Sequence, residues 1–162
     1  MKCHLAKDGY VGEIVSHSAL ELQTYGAALG KTLVGGTVIV LAGPLGAGKT
    51  TLVQGIARGM GIITPVTSPT FALMQLYEAL PLTLVHCDFY RLLNSADLDH
   101  LGLSDFFTAS HVVVIEWGQA YLDWLPKDCA QIEIIPHGGE RTLRVNAGGH
   151  ATIEEWVKFC QS

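Results

Sequence analysis

The sequence lacks the features that mark secreted and membrane-spanning chains. Its cysteines form no C-x-x-C pair and are scattered at Cys3, Cys87, Cys129 and Cys160. This spacing argues against a disulfide framework and a cysteine-based zinc site, and it is typical of a reducing cytoplasm. The longest apolar runs, such as Val112–Ile115, are far too short to span a bilayer, and the first eight residues contain no apolar signal region. We therefore expect a cytoplasmic protein with no secretory signal and no membrane partner.

Positive charge is also scarce. The formal net charge is −5 at pH 7, and the chain has only four arginines, Arg58, Arg91, Arg141 and Arg144. A domain that binds nucleic acid by itself needs a basic face, so any role in RNA chemistry requires another subunit to hold the RNA. The single R-x-x-R spacing, Arg141 with Arg144, falls within a predicted hairpin, and no arginine is placed as an arginine finger.

The length and composition limit the number of domains. With 162 residues, of which 49% are hydrophobic, the chain can bury one sizeable core but is too short for two comfortable domains. It contains no repeat, low-complexity tract or linker. We therefore predict a single domain over residues 1–162.

The most informative motif in the chain is a complete phosphate-binding loop, which predicts that this domain is a P-loop ATPase. Gly43–Thr50 reads GPLGAGKT and matches G-x-x-x-x-G-K-[ST] at every fixed position. The glycines let the backbone curl so that N–H groups point into one hollow, the lysine reaches the β- and γ-phosphates, and the last hydroxyl can hold Mg²⁺. The candidate nucleotide-binding residues of this segment are Gly43, Leu45, Gly46, Ala47, Gly48, Lys49, Thr50 and Thr51, and Lys49 is also a catalytic candidate.

The residues on either side of the loop support this interpretation. Thr37–Ala42 reads as a short buried strand that leads into the loop, and Thr51–Arg58 has the apolar spacing of a helix that leaves it. A strand, a glycine loop and a helix in this order place phosphates on a helix N-terminus. The alternative is a structural glycine turn followed by a lysine, which the flanking pattern makes much less favourable.

The rest of the chain alternates strands with helices. The predicted strands are Tyr10–Ser16, Phe71–Glu78, Leu82–Cys87, Val112–Ile115, Gln131–Ile135 and Arg141–Asn146, with a hairpin turn at His137–Gly139. Capping boxes at Ser18 and Thr152 predict helices, the first running to about Val34, and Asn94–Leu103 also reads as helical. The predicted fold class is α/β, a P-loop NTPase-type three-layer fold with a mixed, partly parallel sheet and a C-terminal antiparallel hairpin.

Two acidic residues are candidates to complete a magnesium site. Asp88 and Glu116 each follow an apolar strand directly. A carboxylate at the C-terminal end of a buried strand, close to the loop strand, is aimed at the cation or at its water. The candidate metal ligands are therefore Thr50, Asp88 and Glu116, although either acid could instead face solvent at its strand end. His86 points to the same strand face as Asp88, either as a metal partner or, more commonly, as a packed or hydrogen-bonded histidine.

Two more residues are nucleotide-site candidates. Thr70 lies after the loop helix, where nucleotide switches carry a threonine that contacts Mg²⁺ and the γ-phosphate. A proline turn before a strand is the alternative interpretation of Thr67–Phe71. Trp117 directly follows Glu116 and could stack on a base, although most tryptophans pack in a core.

Together these blocks resemble the ordered signature of the bacterial TsaE (YjeE) ATPases. The matching blocks are Gly43–Thr51, Ser68–Thr70, His86–Leu92 and Ile115–Trp117. The resemblance implies a small ATPase that uses ATP and Mg²⁺ and is required to form threonylcarbamoyladenosine at position 37 of tRNAs. It further implies action with TsaB and TsaD, of which TsaD carries the transferase chemistry, so that tRNA is met only through the complex.

The resemblance also implies roles for individual residues. Thr50 and Glu116 would hold Mg²⁺, and Asp88 would assist at the metal or the attacking water. Thr70 would belong to a switch, and Trp117 would lie near the nucleotide.

Three positions depart from the family pattern. Pro44 stands where an acidic residue usually follows the first glycine, and Gly118 stands where proline commonly follows Glu-Trp. Leu22 replaces a helix threonine that is often near the base, with Thr24 close by. The loop pattern itself tolerates any residue at Pro44, so phosphate binding is expected to survive there.

The sequence supports other functions less well than it supports an ATPase. A P-loop small-molecule kinase is the alternative enzyme class, but its acceptor site commonly needs arginines on a lid. A GTPase would carry an N-K-x-D segment, and the chain has none. A nucleotide-gated binding module, in which hydrolysis only times assembly, differs from the ATPase interpretation mainly in mechanism.

Overall fold

The fold is a mixed sheet with helices on both faces, in a computed structural model that describes residues 10–69 and 71–162. Its strands are β1 (Tyr10–Ser16), β2 (Val38–Ala42), β3 (Met74–Ala79), β4 (Leu82–Asp88), β5 (His111–Glu116), β6 (Ala130–His137) and β7 (Glu140–Asn146). Its α-helices are α1 (Ala19–Gly30), α2 (Lys49–Gly59), α3 (Ala96–Leu101) and α4 (Ala151–Gln161). Two short 3-10 helices cover Leu103–Phe106 and Gln119–Tyr121.

The strand order places the glycine loop, which we define as Gly43–Gly48, at the middle of the sheet. The order is β1-β7-β6-β2-β5-β4-β3. Strand β2, which leads into the loop, is parallel to both of its neighbours, β5 and β6, and β4 is parallel to β5. The outer pairs β3–β4, β6–β7 and β1–β7 are antiparallel. This arrangement confirms the predicted α/β class, the partly parallel sheet and the C-terminal hairpin.

Apolar side chains fill both sides of the sheet, which gives three layers. One core lies between the sheet and α1, α2 and α4, and it includes Leu29, Ile56 and Trp156. The other core lies under α3 and the 3-10 helices, and it includes Leu98 and Leu103. All five residues of β2 are buried, as expected for a parallel strand that is covered on both faces.

Helices α1 and α2 pack through glycines, which fixes α2 and therefore the loop before it. A Cβ atom at Gly30 would clash with the Ile56 carbonyl oxygen, and one at Gly59 would clash with the carbonyl of Ala27. Close backbone approach of this kind requires the absence of a side chain. The helix that carries the loop is thus held rigidly against α1.

The first helix ends earlier than the sequence predicts, although its N-cap is as predicted. Helix α1 ends at Gly30 and not near Val34, because the Leu29 carbonyl accepts hydrogen bonds from the backbone N–H and the hydroxyl of Thr32 and closes the last turn. The Ser18 cap is confirmed, since its Oγ accepts the Glu21 N–H at 3.0 Å.

The predicted capping box at Thr152 is wrong. Helix α4 begins at Ala151 with His150 as its N-cap, so Thr152 lies inside the first turn. The helix starts earlier because the His150 carbonyl already accepts the N–H groups of Ile153 and Glu154. Within the described part of the chain, the Thr152 Oγ1 is buried without a hydrogen-bond partner.

Two other elements are shorter than predicted. Strand β3 begins at Met74 and not at Phe71, because the Leu73 N–H bonds to the Pro69 carbonyl and Leu73 has a φ of 64°. The helix predicted over Asn94–Leu103 is reduced to α3, because Gly102 adopts a left-handed conformation that ends it.

The described cysteines form no disulfide with one another. Cys87, Cys129 and Cys160 are free thiols, and burial raises the pKa of Cys160 to about 12. Cys3 lies outside the described residues. Among residues 10–69 and 71–162, every helix is too short or too polar to cross a bilayer.

Candidate functional site

The glycine loop has the curled backbone that the motif predicts. The φ angles are 149° at Gly43, 78° at Gly46 and 114° at Gly48, all in the region that disfavours other residues. Gly48 is the N-cap of α2, so the loop runs straight into the first turn of that helix. The unpaired N–H groups of this turn make the helix N-terminus an anion-binding position.

A cleft of about 420 Å³ opens over the loop and the N-terminus of α2. Most of the predicted site residues line it, and so do three residues to which the sequence gave no role, Ser68, Tyr90 and Arg141. The complete lining is Leu45, Gly46, Gly48, Lys49, Thr50, Thr51, Ser68, Asp88, Tyr90, Glu116, Trp117 and Arg141. The structure therefore brings the loop, the strand-end acids and Trp117 together in one place.

Two of the predicted nucleotide-binding residues in the loop lie outside this cleft lining. The Ala47 side chain is fully buried in the core, and its N–H donates to the Pro44 carbonyl at 3.1 Å. Gly43 lies at the base of the loop, where a Cβ atom would be 2.6 Å from the Ile134 carbonyl oxygen. In this structure both residues shape the loop.

Lys49 lies over the loop with its charge accessible to an anion. Its Nζ donates to the Gly43 carbonyl at 2.6 Å and the Pro44 carbonyl at 2.9 Å, and it lies 4.1 Å from the centre of the Trp117 ring. Burial lowers the pKa of Lys49, and the carboxylates of Glu116 and Asp88 offset part of that shift. Because both hydrogen-bond acceptors are neutral carbonyls, an anionic ligand could take their place.

Glu116 connects the first turn of α2 with strand β4 through its side-chain hydrogen bonds. The Thr50 hydroxyl lies 3.0 Å from each carboxylate oxygen of Glu116. His86 Nε2 lies 2.6 Å from Glu116 Oε2, and both side chains are almost fully buried. A carboxylate only accepts hydrogen bonds, so His86 donates from Nε2 and holds Glu116 in place. The interpretation of His86 as a hydrogen-bonded histidine is thus confirmed.

Asp88 lies beside Glu116 at the ends of two parallel strands. The register of β4 and β5 pairs these two residues directly. Asp88 Oδ2 accepts the Ser68 hydroxyl at 2.8 Å, and Oδ1 accepts the Tyr90 N–H at 2.9 Å. Asp88 is only 5% exposed, so the alternative of a solvent-facing strand-end acid is wrong here, as it is for Glu116 at 3%.

Trp117 closes one side of the cleft. Its φ of 60° is left-handed, which is uncommon for a bulky residue and turns the ring back over Lys49. The Tyr90 ring packs against it with centroids 5.0 Å apart. Gly118 makes room for this turn, because a Cβ atom there would lie 2.9 Å from a methyl group of Ile115.

Thr70, the predicted switch residue, lies outside the described residues. The α1 position that departs from the family pattern offers no polar group to the cleft. Leu22 is fully buried in the core, and Thr24 donates its hydroxyl back to the Leu20 carbonyl at 3.0 Å. Neither side chain of that helix offers a polar group to the cleft.

Arg141 lies next to the loop, a position that the sequence did not predict. It lies on β7, yet its Nε donates to the Ala47 carbonyl at 2.7 Å. The reason is the register of the hairpin: β6 runs parallel to β2 and continues past its end, and Arg141 lies opposite Pro136 in that extension. The arginine is thereby carried over the glycine loop.

Comparisons with known proteins show the family of this chain. The family described as "Threonylcarbamoyl adenosine biosynthesis protein TsaE" matches residues 16–143. The chain belongs to the TsaE family. A protein named tRNA threonylcarbamoyladenosine biosynthesis protein TsaE from Treponema pallidum is 40% identical over 139 residues, covering 86% of this chain and 96% of that protein. A protein of the same name from Streptomyces coelicolor is 38% identical over 144 residues, covering 84% of this chain and 94% of that protein.

A solved structure shares the TsaE fold seen here. The crystal structure of Bacillus subtilis YdiB superposes with a TM-score of 0.76 at 28% identity, covering 91% of this chain and 95% of the other. The TsaE match ends at residue 143, so it contains the glycine loop, both strand-end acids and Arg141.

Proposed function

We propose that this chain is the Mg²⁺-dependent ATP-binding and ATP-hydrolysing subunit required for threonylcarbamoyladenosine modification of tRNA, acting with TsaB and TsaD. The observation that carries the proposal is the convergence of Lys49, Thr50 and Glu116 at the N-terminus of α2, in a chain of the TsaE family. A lysine, a hydroxyl and a carboxylate around a glycine loop are the parts that nucleotide hydrolysis uses in such folds.

Triphosphate binding follows from the loop and Lys49. The backbone N–H groups at the start of α2 and the positive end of the helix favour phosphate. Lys49 gives up two neutral carbonyl acceptors and takes phosphate oxygens, with which its charge interacts more strongly. The loop side chains contribute little, so binding depends on backbone shape and on this one charge.

The residues present fit a magnesium ion. Mg²⁺ is commonly held by one or two protein oxygen ligands together with substrate phosphates and water. The Thr50 hydroxyl and the Glu116 carboxylate already lie within 3.0 Å of each other, and Asp88 is the paired residue on the next strand. The described residues contain no group of three His, Cys, Asp or Glu side chains that could hold a metal ion. When bound, the ion would neutralise phosphate charge.

The carboxylates of Glu116 and Asp88 would assist ATP hydrolysis. His86 and Thr50 orient Glu116, while Ser68 and the Tyr90 N–H orient Asp88. Fixed carboxylates of this kind can position an attacking water without reorganising during the reaction. Among the described residues, no arginine approaches the cleft from the side of these acids, so turnover by the isolated chain should be slow until a partner completes the site.

The charge of the chain supports a shared role with other subunits. A net charge of −5 is unsuited to holding tRNA directly, so the proposal assigns tRNA binding to the complex. The ATP-bound form would favour docking to a TsaB–TsaD complex, and hydrolysis would follow there. The proposed location is the cytoplasm, where free thiols such as Cys87 and Cys129 remain reduced.

Reconstitution tests the proposed function. We expect purified TsaB, TsaD and tRNA to form threonylcarbamoyladenosine over multiple turnovers only when this chain and ATP are added. Lys127→Ala, at an exposed position away from the cleft, is the matched control for substitution of Lys49, and it should support full formation of threonylcarbamoyladenosine. Equal sustained yields with and without the chain would reject the assignment, and rapid phosphorylation of a small metabolite by the isolated chain would favour the kinase alternative.

Trp117 should report nucleotide binding by fluorescence. Its ring lies 4.1 Å from the Lys49 amine, and this contact should change when the amine turns to phosphate. Trp124 and Trp156 lie outside the cleft, bonded to Asp99 and to the Tyr25 carbonyl respectively. We therefore expect Mg-ATP to change the emission of the wild-type chain and to have little effect on Trp117→Phe. A change of equal size in Trp117→Phe would place Trp117 away from the nucleotide.

A further inference from the structure

Arg141 is a cation in the cleft that the proposed mechanism does not yet use. Among the hydrogen bonds of the described residues, its side chain makes only the one from Nε to the Ala47 carbonyl. A guanidinium has five N–H donors in a planar fork, so four of them remain beyond this bond. The fork matches phosphate oxygens in geometry and in charge.

The other three arginines are engaged elsewhere. Arg144 pairs with Glu13 at 3.3 Å, and Arg91 stacks on the Phe71 ring at 4.5 Å. Arg58 lies in the last turn of α2, at the far end of that helix from the loop. Arg141 is therefore the arginine that lines the cleft over the glycine loop.

The surroundings of Arg141 favour an anion. Its Nε lies 2.9 Å from the position that a Cβ atom of Gly48 would take, directly at the N-cap of α2. Within the described part of the chain, no carboxylate lies within ion-pair distance of Arg141. The positive end of a helix, Lys49 and an unpaired guanidinium thus meet around one hollow, and a polyanion would relieve their mutual repulsion.

The sheet order tells which part of a nucleotide Arg141 can reach. Glu116 and Asp88 approach the loop from β5 and β4, on one side of β2. Arg141 approaches from β7, on the other side of β2. Leu22 of α1 lies nearby, with a methyl group 2.8 Å from the position that a Gly48 Cβ atom would take. Since the acids mark the hydrolysed end of the phosphate chain, Arg141 faces the opposite end, toward the nucleoside.

We propose that Arg141 binds the diphosphate part of the nucleotide, which ATP and ADP share, from the β7 side of the loop. This inference rests on the proposed function, because it assumes that the cleft holds a nucleotide. Arg141 is then a binding residue supplied by the chain itself, and it differs from an arginine finger, which acts on the γ-phosphate during hydrolysis. Its bond to Ala47 presents the fork to the ligand in a fixed orientation.

Calorimetric titration with Mg-ATP and with Mg-ADP tests the inference. We expect Arg141→Ala to weaken the binding of both nucleotides by a similar factor, about ten- to hundredfold, because one charge-assisted contact to phosphate is lost. Arg141→Lys should recover part of the affinity, since a point charge replaces the fork. Arg144→Ala, three residues along the same strand, should bind as the wild type does.

The outcomes separate the two proposals. If the wild-type chain binds neither nucleotide, the proposed function fails. If it binds both and Arg141→Ala binds equally well, or loses affinity for ATP alone, the inference about Arg141 is wrong while the proposed function stands. The ³¹P resonances of bound ADP distinguish direct contact from loop distortion. Arg141→Lys should shift them relative to the wild type, and unchanged resonances would contradict direct contact. If Arg141→Ala does not fold, the resonances of ADP bound to Arg141→Lys still test whether Arg141 contacts the diphosphate directly.

Discussion

Lys49→Ala is expected to lower the affinity for Mg-ATP and to reduce ATP hydrolysis to near background, while the chain stays folded. A hydrogen bond to a charged group contributes about 1.5–3 kcal/mol, which corresponds to a loss of about ten- to hundredfold in affinity. Turnover should fall further, since the lysine also stabilises charge that develops on the phosphates. The fold should survive, because the Lys49 amine contacts only carbonyls of the loop and the Trp117 ring among the described residues.

Calorimetry with Mg-ATP and a phosphate-release assay would measure both effects. Lys127→Ala removes an equal charge from an exposed position and should behave as the wild type. Thermal unfolding without nucleotide should give similar midpoints for both variants. Wild-type affinity together with wild-type turnover in Lys49→Ala would remove this lysine from the site.

The loop could be predicted from the sequence because its residue types are dictated by local geometry. Gly46 and Gly48 adopt left-handed backbone conformations, so the pattern of glycines encodes the shape directly. Asp88 and Glu116 were predictable for a related reason. Each ends an apolar strand, and parallel strands that flank one loop strand bring their carboxyl ends to the same edge of the sheet.

Arg141 could not be placed from the sequence because its position depends on pairing between distant segments. The bond to Ala47 spans 94 residues, and it requires the register of β6 on β2 as well as that of β7 on β6. The spacing of Arg141 and Arg144 along the sequence gives no information about either register. Ser68 and Tyr90 were missed for the same reason, since their contacts with Asp88 and Trp117 depend on how a loop folds over the sheet.

Helix ends were the least predictable part of the fold. The box at Thr152 has the residue types of an N-cap, but the preceding turn at His150 already accepts the first helical N–H groups. Local patterns of this kind compete with the backbone hydrogen bonds of adjacent turns, and the tertiary packing of α4 decides between them.

Glu116→Gln is expected to reduce magnesium-dependent ATP hydrolysis by about 10²–10³-fold, with much less effect on nucleotide binding. The amide keeps the shape of the side chain, and its oxygen can still accept hydrogen bonds from His86 and Thr50. It removes the negative charge that favours Mg²⁺, whereas the phosphates remain held by Lys49 and by the backbone N–H groups of the loop. Hydrolysis should also require a higher magnesium concentration in this variant.

Asp88→Asn separates the two acids. If both carboxylates face the ion or its water, this variant should lose hydrolysis as Glu116→Gln does, because the strand register places the two residues side by side. Glu155→Gln changes an exposed glutamate on α4 and controls for the loss of one charge. Normal hydrolysis in Asp88→Asn, with an inactive Glu116→Gln, would assign the metal site to Thr50 and Glu116 alone. Normal hydrolysis and normal magnesium dependence in both variants would mean that neither strand-end acid takes part.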